Sequence, residues 1–145
     1  MIRKIETKDR EIYLAMAKAF YESDAVLQNV PKEHFEKTFD LLLEGTPYAK
    51  GYLFEENGKV QGYALLAITY SQEAGGEVVW VEEIYLLPES RGKGYAHKFF
   101  AFLEKEFPNA RRFRLEVEKE NERAVKLYTA LGFTFFPYDQ MKKEK

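Results

Sequence analysis

Apolar positions recur along this chain with two periods, one of two residues and one of three to four, and the switches between them mark out its elements. Ile2 to Ile5 reads as a short first strand. Thr7 is placed to cap a helix, with acidic Asp9 and Glu11 in the first turn, and Ile12, Met16, Ala19 and Phe20 fall at helical spacing. Tyr21 to Val30 reads as a loop or broken helix. Pro31 can open a second helix with Phe35, Phe39 and Leu42 on its apolar face, and Gly45 is its stop. Tyr52 to Glu55 and Val60 to Tyr70 are strand-like. Asn57-Gly58 between them predicts a type I′ hairpin, which needs positive φ at both residues.

Gly75-Gly76 supplies a second turn, and Glu77 to Leu87 is the next strand, rich in Val, Ile, Trp and Tyr. A helix is expected from about Gly94 to Phe107, with Ala96, Phe100, Leu103 and Phe107 as its stripe. Phe113, Leu115 and Val117 alternate with Arg112, Arg114 and Glu116, the pattern of a half-exposed strand. Asn121 caps a helix carrying Ala124, Leu127, Tyr128 and Leu131. Gly132 ends it, and Phe133 opens a last strand. The order is β-α-α-β-β-β-α-β-α-β. It describes an α/β fold in one domain spanning residues 1–145, with a mixed central sheet, helices on both faces and one βαβ crossover.

Composition narrows the function classes. The 145 residues are 46% apolar and 32% charged, the balance of a globular domain with room for a core. The 16% aromatic share points to a large core ahead of a ring-walled cleft. Net charge is −2 and the basic residues are scattered among acidic ones, so no nucleic-acid partner is expected. The absence of cysteine excludes disulfides, thiol nucleophiles and zinc–thiolate sites. His34 and His97 lack ligand-spaced acidic partners, so no metal is expected. Arg3, Lys4 and Glu6 interrupt the start, and no apolar run reaches the ~20 residues of a membrane span. A cytoplasmic location without a membrane partner is the corresponding expectation.

The most informative run is Leu87-Pro88-Glu89-Ser90-Arg91-Gly92-Lys93-Gly94-Tyr95-Ala96, which follows a strand and opens a helix. A helix N-terminus presents unpaired amides and the positive end of its dipole, and so attracts phosphate. Gly92 and Gly94 let the backbone curl close to a ligand, and Arg91 and Lys93 add charge at the rim. The run is neither a P-loop nor a full dinucleotide fingerprint, because His97 stands at the third glycine position. By itself it fits a glycine-softened turn as well as a diphosphate cradle.

With a second signature it resembles the GNAT superfamily of acyl-CoA-dependent N-acyltransferases. Arg91-Gly92-Lys93-Gly94-Tyr95-Ala96 matches the family's Arg/Gln-x-x-Gly-x-Gly/Ala motif. Asn121, Ala124, Tyr128 and Gly132-Phe133 match its second motif about thirty residues on. The likeness is good from Val60 to Phe133 and looser before. It implies acetyl-CoA as co-substrate, with main-chain groups of Arg91, Gly92, Lys93, Gly94, Tyr95 and Ala96 around the diphosphate. It also implies strand residues Ile84, Tyr85 and Leu86 along the pantetheine arm, with Asn121 bonded to that arm and Tyr128 near the thioester sulfur. Helix capping for Asn121 and core packing for Tyr128 remain the structural alternatives.

The chemistry asks for a base and an acid. An alkylammonium has a pKa near 10.4, so only about one molecule in 10³ is nucleophilic at neutral pH, a cost of roughly 4–5 kcal/mol. Glu82 and Glu83 interrupt an apolar strand, and alternation sends one of them toward a cleft. A strand end or a structural ion pair would also account for them. Trp80-Val81-Glu82-Glu83-Ile84-Tyr85 is similar to the polyamine acetyltransferase branch, which ranks Glu82 first as base. Tyr128 would protonate the leaving thiolate, and an amide near Ile84 or Leu86 would face the developing oxyanion. Glu22, Asp24 and Glu33, with the acidic pair, suggest a lining for a small cationic amine, polyamine-like or amino-sugar. A protein N-terminus or lysine as acceptor, and a non-catalytic acyl-CoA-binding module, stay open. A homodimer, common in the family, is a further expectation. The short, Pro137-interrupted tail leaves the shape of the acceptor pocket undefined.

Overall fold

The computed structural model describes residues 1–24 and 26–145. Ala25, inside the expected loop, lies outside the described residues. The elements are β1 (Ile2–Lys4), α1 (Arg10–Tyr21), α2 (Lys32–Glu44), β2 (Ala49–Glu56), β3 (Lys59–Ser71), β4 (Gly76–Leu86), α3 (Tyr95–Glu106), β5 (Arg112–Leu115) and α4 (Glu122–Ala130). The strands form one sheet in the order β1-β2-β3-β4-β5. The first four are antiparallel neighbours, and β5 joins β4 in parallel after the α3 crossover. The mixed α/β sheet matches the sequence expectation.

The sheet separates two apolar layers. Tyr13, Met16 and Ala17 of α1 and Phe35 and Phe39 of α2 pack on Leu53 and Tyr63. On the other face, Tyr95, Phe99, Phe100 and Leu103 of α3 pack on Tyr52, Phe54, Ala64, Leu66, Val79 and Val81. Tyr128, Leu131 and Phe133 join this second layer from the α4 region. Rings dominate both layers, as at Tyr13–Tyr63 with centroids 5.2 Å apart and Phe54–Phe99 at 5.3 Å. The aromatic share is therefore spent mainly on core. A fully buried phenylalanine such as Phe99 contributes about 1.5–3 kcal/mol relative to an exposed one.

Several local expectations shift. Asn57 (φ 52°) and Gly58 (φ 75°) form the expected positive-φ turn between β2 and β3. Thr7 does not cap α1. It begins a short 3-10 turn, Thr7–Asp9, in which Asp9 accepts from the Glu6 amide at 2.8 Å and pairs with Arg3. The buried stripe of α1 runs through Tyr13, Met16 and Ala17 rather than Ala19, and that of α3 takes in Tyr95 and Phe99 rather than Ala96.

The expected last strand from Phe133 is not formed among the described residues. Pro137 has no amide to give a ladder, and the tail is held by rings instead. The Phe136 ring lies against the Arg112 and Arg114 guanidiniums at 4.9 and 4.6 Å, and Arg114 also stacks on Trp80 at 3.9 Å. Among the described residues, no helix is long and apolar enough to cross a membrane.

Candidate active site

The site begins with a slip in β4. Leu65 pairs with Glu83 but Leu66 pairs with Val81, so Glu82 is an extra residue, a β-bulge. A bulge reverses which side chains face which layer. Val79 and Val81 face α3; beyond the bulge Ile84 and Leu86 do so, while Tyr85 and Leu87 turn to the α1–α2 side. The β4–β5 ladder runs only from Val78↔Arg112 to Val81↔Leu115, so the strands part at the bulge. The Leu87 amide donates across to Gln61 of β3 at 2.9 Å. Backbone groups alternate in direction along a strand. Those of Ile84 and Leu86 therefore point to the opposite edge, where β5 no longer pairs. A ligand arm could add there as a strand does. In the structure the Leu86 carbonyl accepts from Arg91 Nε at 3.1 Å, and the Arg91 guanidinium lies over the Tyr85 ring.

The loop after β4 is held from below. Ser90 is fully buried and its hydroxyl donates to Gln61 Oε1 at 2.6 Å, while its amide donates to the Leu87 carbonyl. Gly92 (φ 75°) and Gly94 (φ 83°) then take left-handed backbone, with no neighbour within 4 Å of where a Cβ would stand. The first amide of α3 with an internal partner is that of Lys98, bonded to Gly94 O at 3.1 Å. Among the described residues, the amides from Gly92 to His97 find no protein acceptor. That is a run of donors at a helix N-terminus, suited to an oxyanion-rich group. It sits one residue later than the sequence implies, because the Arg91 amide donates to Pro88 O at 3.4 Å. Tyr95 contributes only main chain: its ring is buried against Phe54, and its hydroxyl donates to Glu56 at 2.5 Å. Valine at position 94 would force a branched side chain into left-handed backbone, at ~1–2 kcal/mol. Gly94→Val is therefore expected to weaken, about tenfold or more in calorimetry, the binding of the acyl-CoA that the sequence resemblance implies.

From His97 an open groove of about 1680 Å³ runs past the parting strands, between the α3–α4 side and the α1–α2 connection. It exceeds a common ligand pocket of roughly 300–1,000 Å³, so it has room for an extended ligand. Glu82, Ile84, Asn121 and Tyr128 line it. Glu83, Tyr85, Leu86 and the Arg91–Ala96 loop are not in its wall. Asn121 caps α4, its Oδ1 accepting from the Ala124 amide at 3.2 Å, which leaves its side-chain amide hydrogens free to donate. The Tyr128 ring meets Phe100 and Phe133 edge-on, and burial raises the affinity of its hydroxyl for its proton.

The two acids have different surroundings. Glu83 is buried and accepts from the Tyr21 and Tyr63 hydroxyls at 2.5 and 2.6 Å. Desolvation raises its pKa despite those two bonds, which act the other way. Glu82 is exposed as a residue, yet the groove walls strip water from its carboxyl. That desolvation comes first in raising its pKa, then the charge of Glu116, then that of Glu83. Of the acids expected around an acceptor, Asp24 and Glu82 line the groove; Glu22 lies 3.9 Å from Lys18 on α1, and Glu33 is in the first turn of α2. Sequence reasoning passed over Tyr21, Tyr63 and Glu116 as site residues. The polar phase of the Arg112–Arg114–Glu116 alternation was the available signal for Glu116.

Residues 11–133 match the model of the Acetyltransferase (GNAT) family. The chain belongs to that family. Among solved structures it is similar to a possible acetyltransferase from Clostridium difficile 630, at 21% identity and a TM-score of 0.83, over 100% of this chain and 97% of that one. AAC(6')-Iy in complex with the bisubstrate analogue CoA-S-monomethyl-acetylneamine gives 19% identity and a TM-score of 0.81 over the same shares. A ribosomal-protein-alanine N-acetyltransferase from Brucella melitensis biovar Abortus 2308 gives 16% and 0.76, over 100% and 99%. At these identities the likeness is one of fold.

Proposed function

We propose that the chain transfers an acetyl group from acetyl-CoA to the primary amine of a small cationic acceptor. The observation that carries this reading is the run of amides from Gly92 to His97 without a partner among the described residues, which reaches at His97 the groove lined by Glu82 and Tyr128. Such donors suit a diphosphate, and each bond to a charged oxygen contributes roughly 1.5–3 kcal/mol. The β4 edge at Ile84 and Leu86, which β5 leaves unpaired and where Arg91 holds the Leu86 carbonyl, suits an amide-bearing arm, and Asn121 lines the same groove as Ile84 with donors to offer it. Acetyl-CoA, when bound, supplies the thioester carbonyl and a thiolate leaving group.

The chain's own groups do the rest. Glu82 takes a proton from the acceptor's ammonium, directly or through water. Its raised pKa makes it a stronger base than a surface carboxylate. Tyr128 gives its proton to the departing sulfur, and burial keeps that proton in place at neutral pH until then. Asp24 and Glu82 favour a cation at the groove's acceptor end. AAC(6')-Iy, similar in fold, is named an aminoglycoside N-acetyltransferase, which supports an amino-sugar as one candidate acceptor.

The test has two arms. Calorimetry should show acetyl-CoA uptake, and a thiol dye should report turnover with a panel of polyamines, amino-sugars and peptides. No uptake would end the reading, and turnover with peptides alone would redirect the acceptor. Tyr128→Phe is expected to bind acetyl-CoA as the parent does and to turn over about tenfold slower or worse. Unchanged turnover would remove Tyr128 from the chemistry.

A further inference from the structure

Two acids follow the last β4–β5 pair and line the groove, and the reaction above uses one of them. Val81 and Leu115 are the last pair of the parallel ladder. The next residue on each chain segment is an acid, Glu82 on the bulge and Glu116 just past β5. Paired strands lie about 4.8 Å apart, a spacing that holds up to Val81 and Leu115, and Glu82 and Glu116 both line the groove that opens beyond that pair. Among the described residues Glu116 makes no salt bridge.

We propose that Glu116 is a positioning residue for the acetyl transfer, its unneutralised charge one strand away holding the Glu82 carboxyl as the stronger base. The inference rests on Glu82 being that base. The step concerned moves one proton. An N–H bond of the acceptor's ammonium breaks and an O–H bond forms on Glu82. The nitrogen keeps the electron pair that attacks the thioester carbonyl. A neighbouring negative charge favours the protonated carboxyl, and so favours this transfer.

The surroundings make Glu116 the neighbour that matters. Glu83 is adjacent in sequence, but its carboxylate is engaged by the Tyr21 and Tyr63 hydroxyls. Its effect on Glu82 ranks below that of Glu116. Asp24 in the α1–α2 connection and Glu118 after β5 line the groove without a resolved influence on Glu82. The Arg and Lys residues that line the groove are engaged elsewhere: Arg112 by Glu73, Arg114 between Trp80 and Phe136, Lys119 over Phe135, and Lys142 by Gln28 and Glu144. Tyr128, on α4, faces the groove as a neutral hydroxyl.

The experiment is E116Q in the full chain, with acetyl-CoA affinity by calorimetry and the pH profile of kcat/KM for the best amine. Acetyl-CoA affinity is expected to stay as in the parent. The acid limb should move to lower pH, because removing a like charge lowers the proton affinity of Glu82. The plateau kcat/KM should fall about 3- to 10-fold, and Glu116→Asp should restore the limb. A profile that superimposes on the parent's would overturn the proposal. So would a lost acetyl-CoA affinity with the limb in place, which marks a structural role. A third contrary outcome is E116Q inactive at every pH while E82Q still turns over, which makes Glu116 the base itself. A parent chain that takes up no acetyl-CoA would fail the functional reading instead, in an arm read separately.

Discussion

Glu82→Gln is expected to lower kcat/KM for the best amine at least about 100-fold while leaving acetyl-CoA affinity within about twofold. Glutamine keeps the size of the side chain and the bulged backbone, so the parting of β4 and β5 and the edge at Ile84 and Leu86 persist. What it loses, on the proposed function, is the acceptor for the ammonium proton. With only about one amine in 10³ already neutral, an unassisted enzyme works on that fraction alone. The loss should shrink as pH rises toward the amine's own pKa, since free amine then needs no base. Glu83→Gln is the control. Its side chain is tied to Tyr21 and Tyr63 and is absent from the groove wall, so turnover should stay within about threefold. Stopped-assay measurements on the two variants across pH decide between the acids. The reverse ranking would place the base on the α1–α2 side of the sheet.

That ranking could be anticipated from the sequence only by resemblance. Alternation predicts that Glu82 and Glu83 face opposite sides; the structure buries Glu83 against Tyr21 and Tyr63 and leaves Glu82 on the groove wall. Alternation does not reveal that one extra residue against β3 flips everything after it. A bulge leaves no mark in hydrophobic periodicity here, because Val79, Val81, Ile84 and Leu86 are all apolar on either phase. Where local chemistry dictates backbone, the sequence was legible. Asn57-Gly58 needs positive φ at both residues and has it, and Gly92 and Gly94 are left-handed as a curled loop requires. The donor run was displaced by one residue because the 3-10 turn Pro88–Ser90 consumes the Arg91 amide, a tertiary detail of how Ser90 is anchored to Gln61. The tail was misread for a related reason. Phe133 to Phe136 carry strand-like residues, but stacking on Arg112 and Arg114 competes with pairing, and Pro137 ends any ladder. Contacts between distant segments, such as Tyr21 and Tyr63 on Glu83, leave no local signal at all.

Those two hydroxyls give Glu83 the second large effect. Glu83→Ala is expected to destabilise the fold by about 3 kcal/mol. Alanine removes the acceptor from both phenols at once, and the Tyr63 ring is fully buried and cannot turn to water. It also opens a cavity beside Tyr63, whose ring packs on Tyr13 at 5.2 Å. A chain of this size should lose roughly 10 °C of Tm for that energy. Glu83→Gln keeps an acceptor oxygen and should cost less than about 1 kcal/mol. The comparison has a pH signature. Folding raises the Glu83 pKa, chiefly by desolvation, so the folded state binds its proton more tightly than the unfolded chain. The stability this contributes is fully present below the ordinary glutamate pKa of about 4.3. It is lost as pH rises through the folded value. Glutamine does not titrate, so the parent should gain stability relative to Glu83→Gln as pH falls through that window. Thermal melts of both proteins across the window would show it. A gap that widens with rising pH would mean that the tyrosines, not burial, govern the carboxylate.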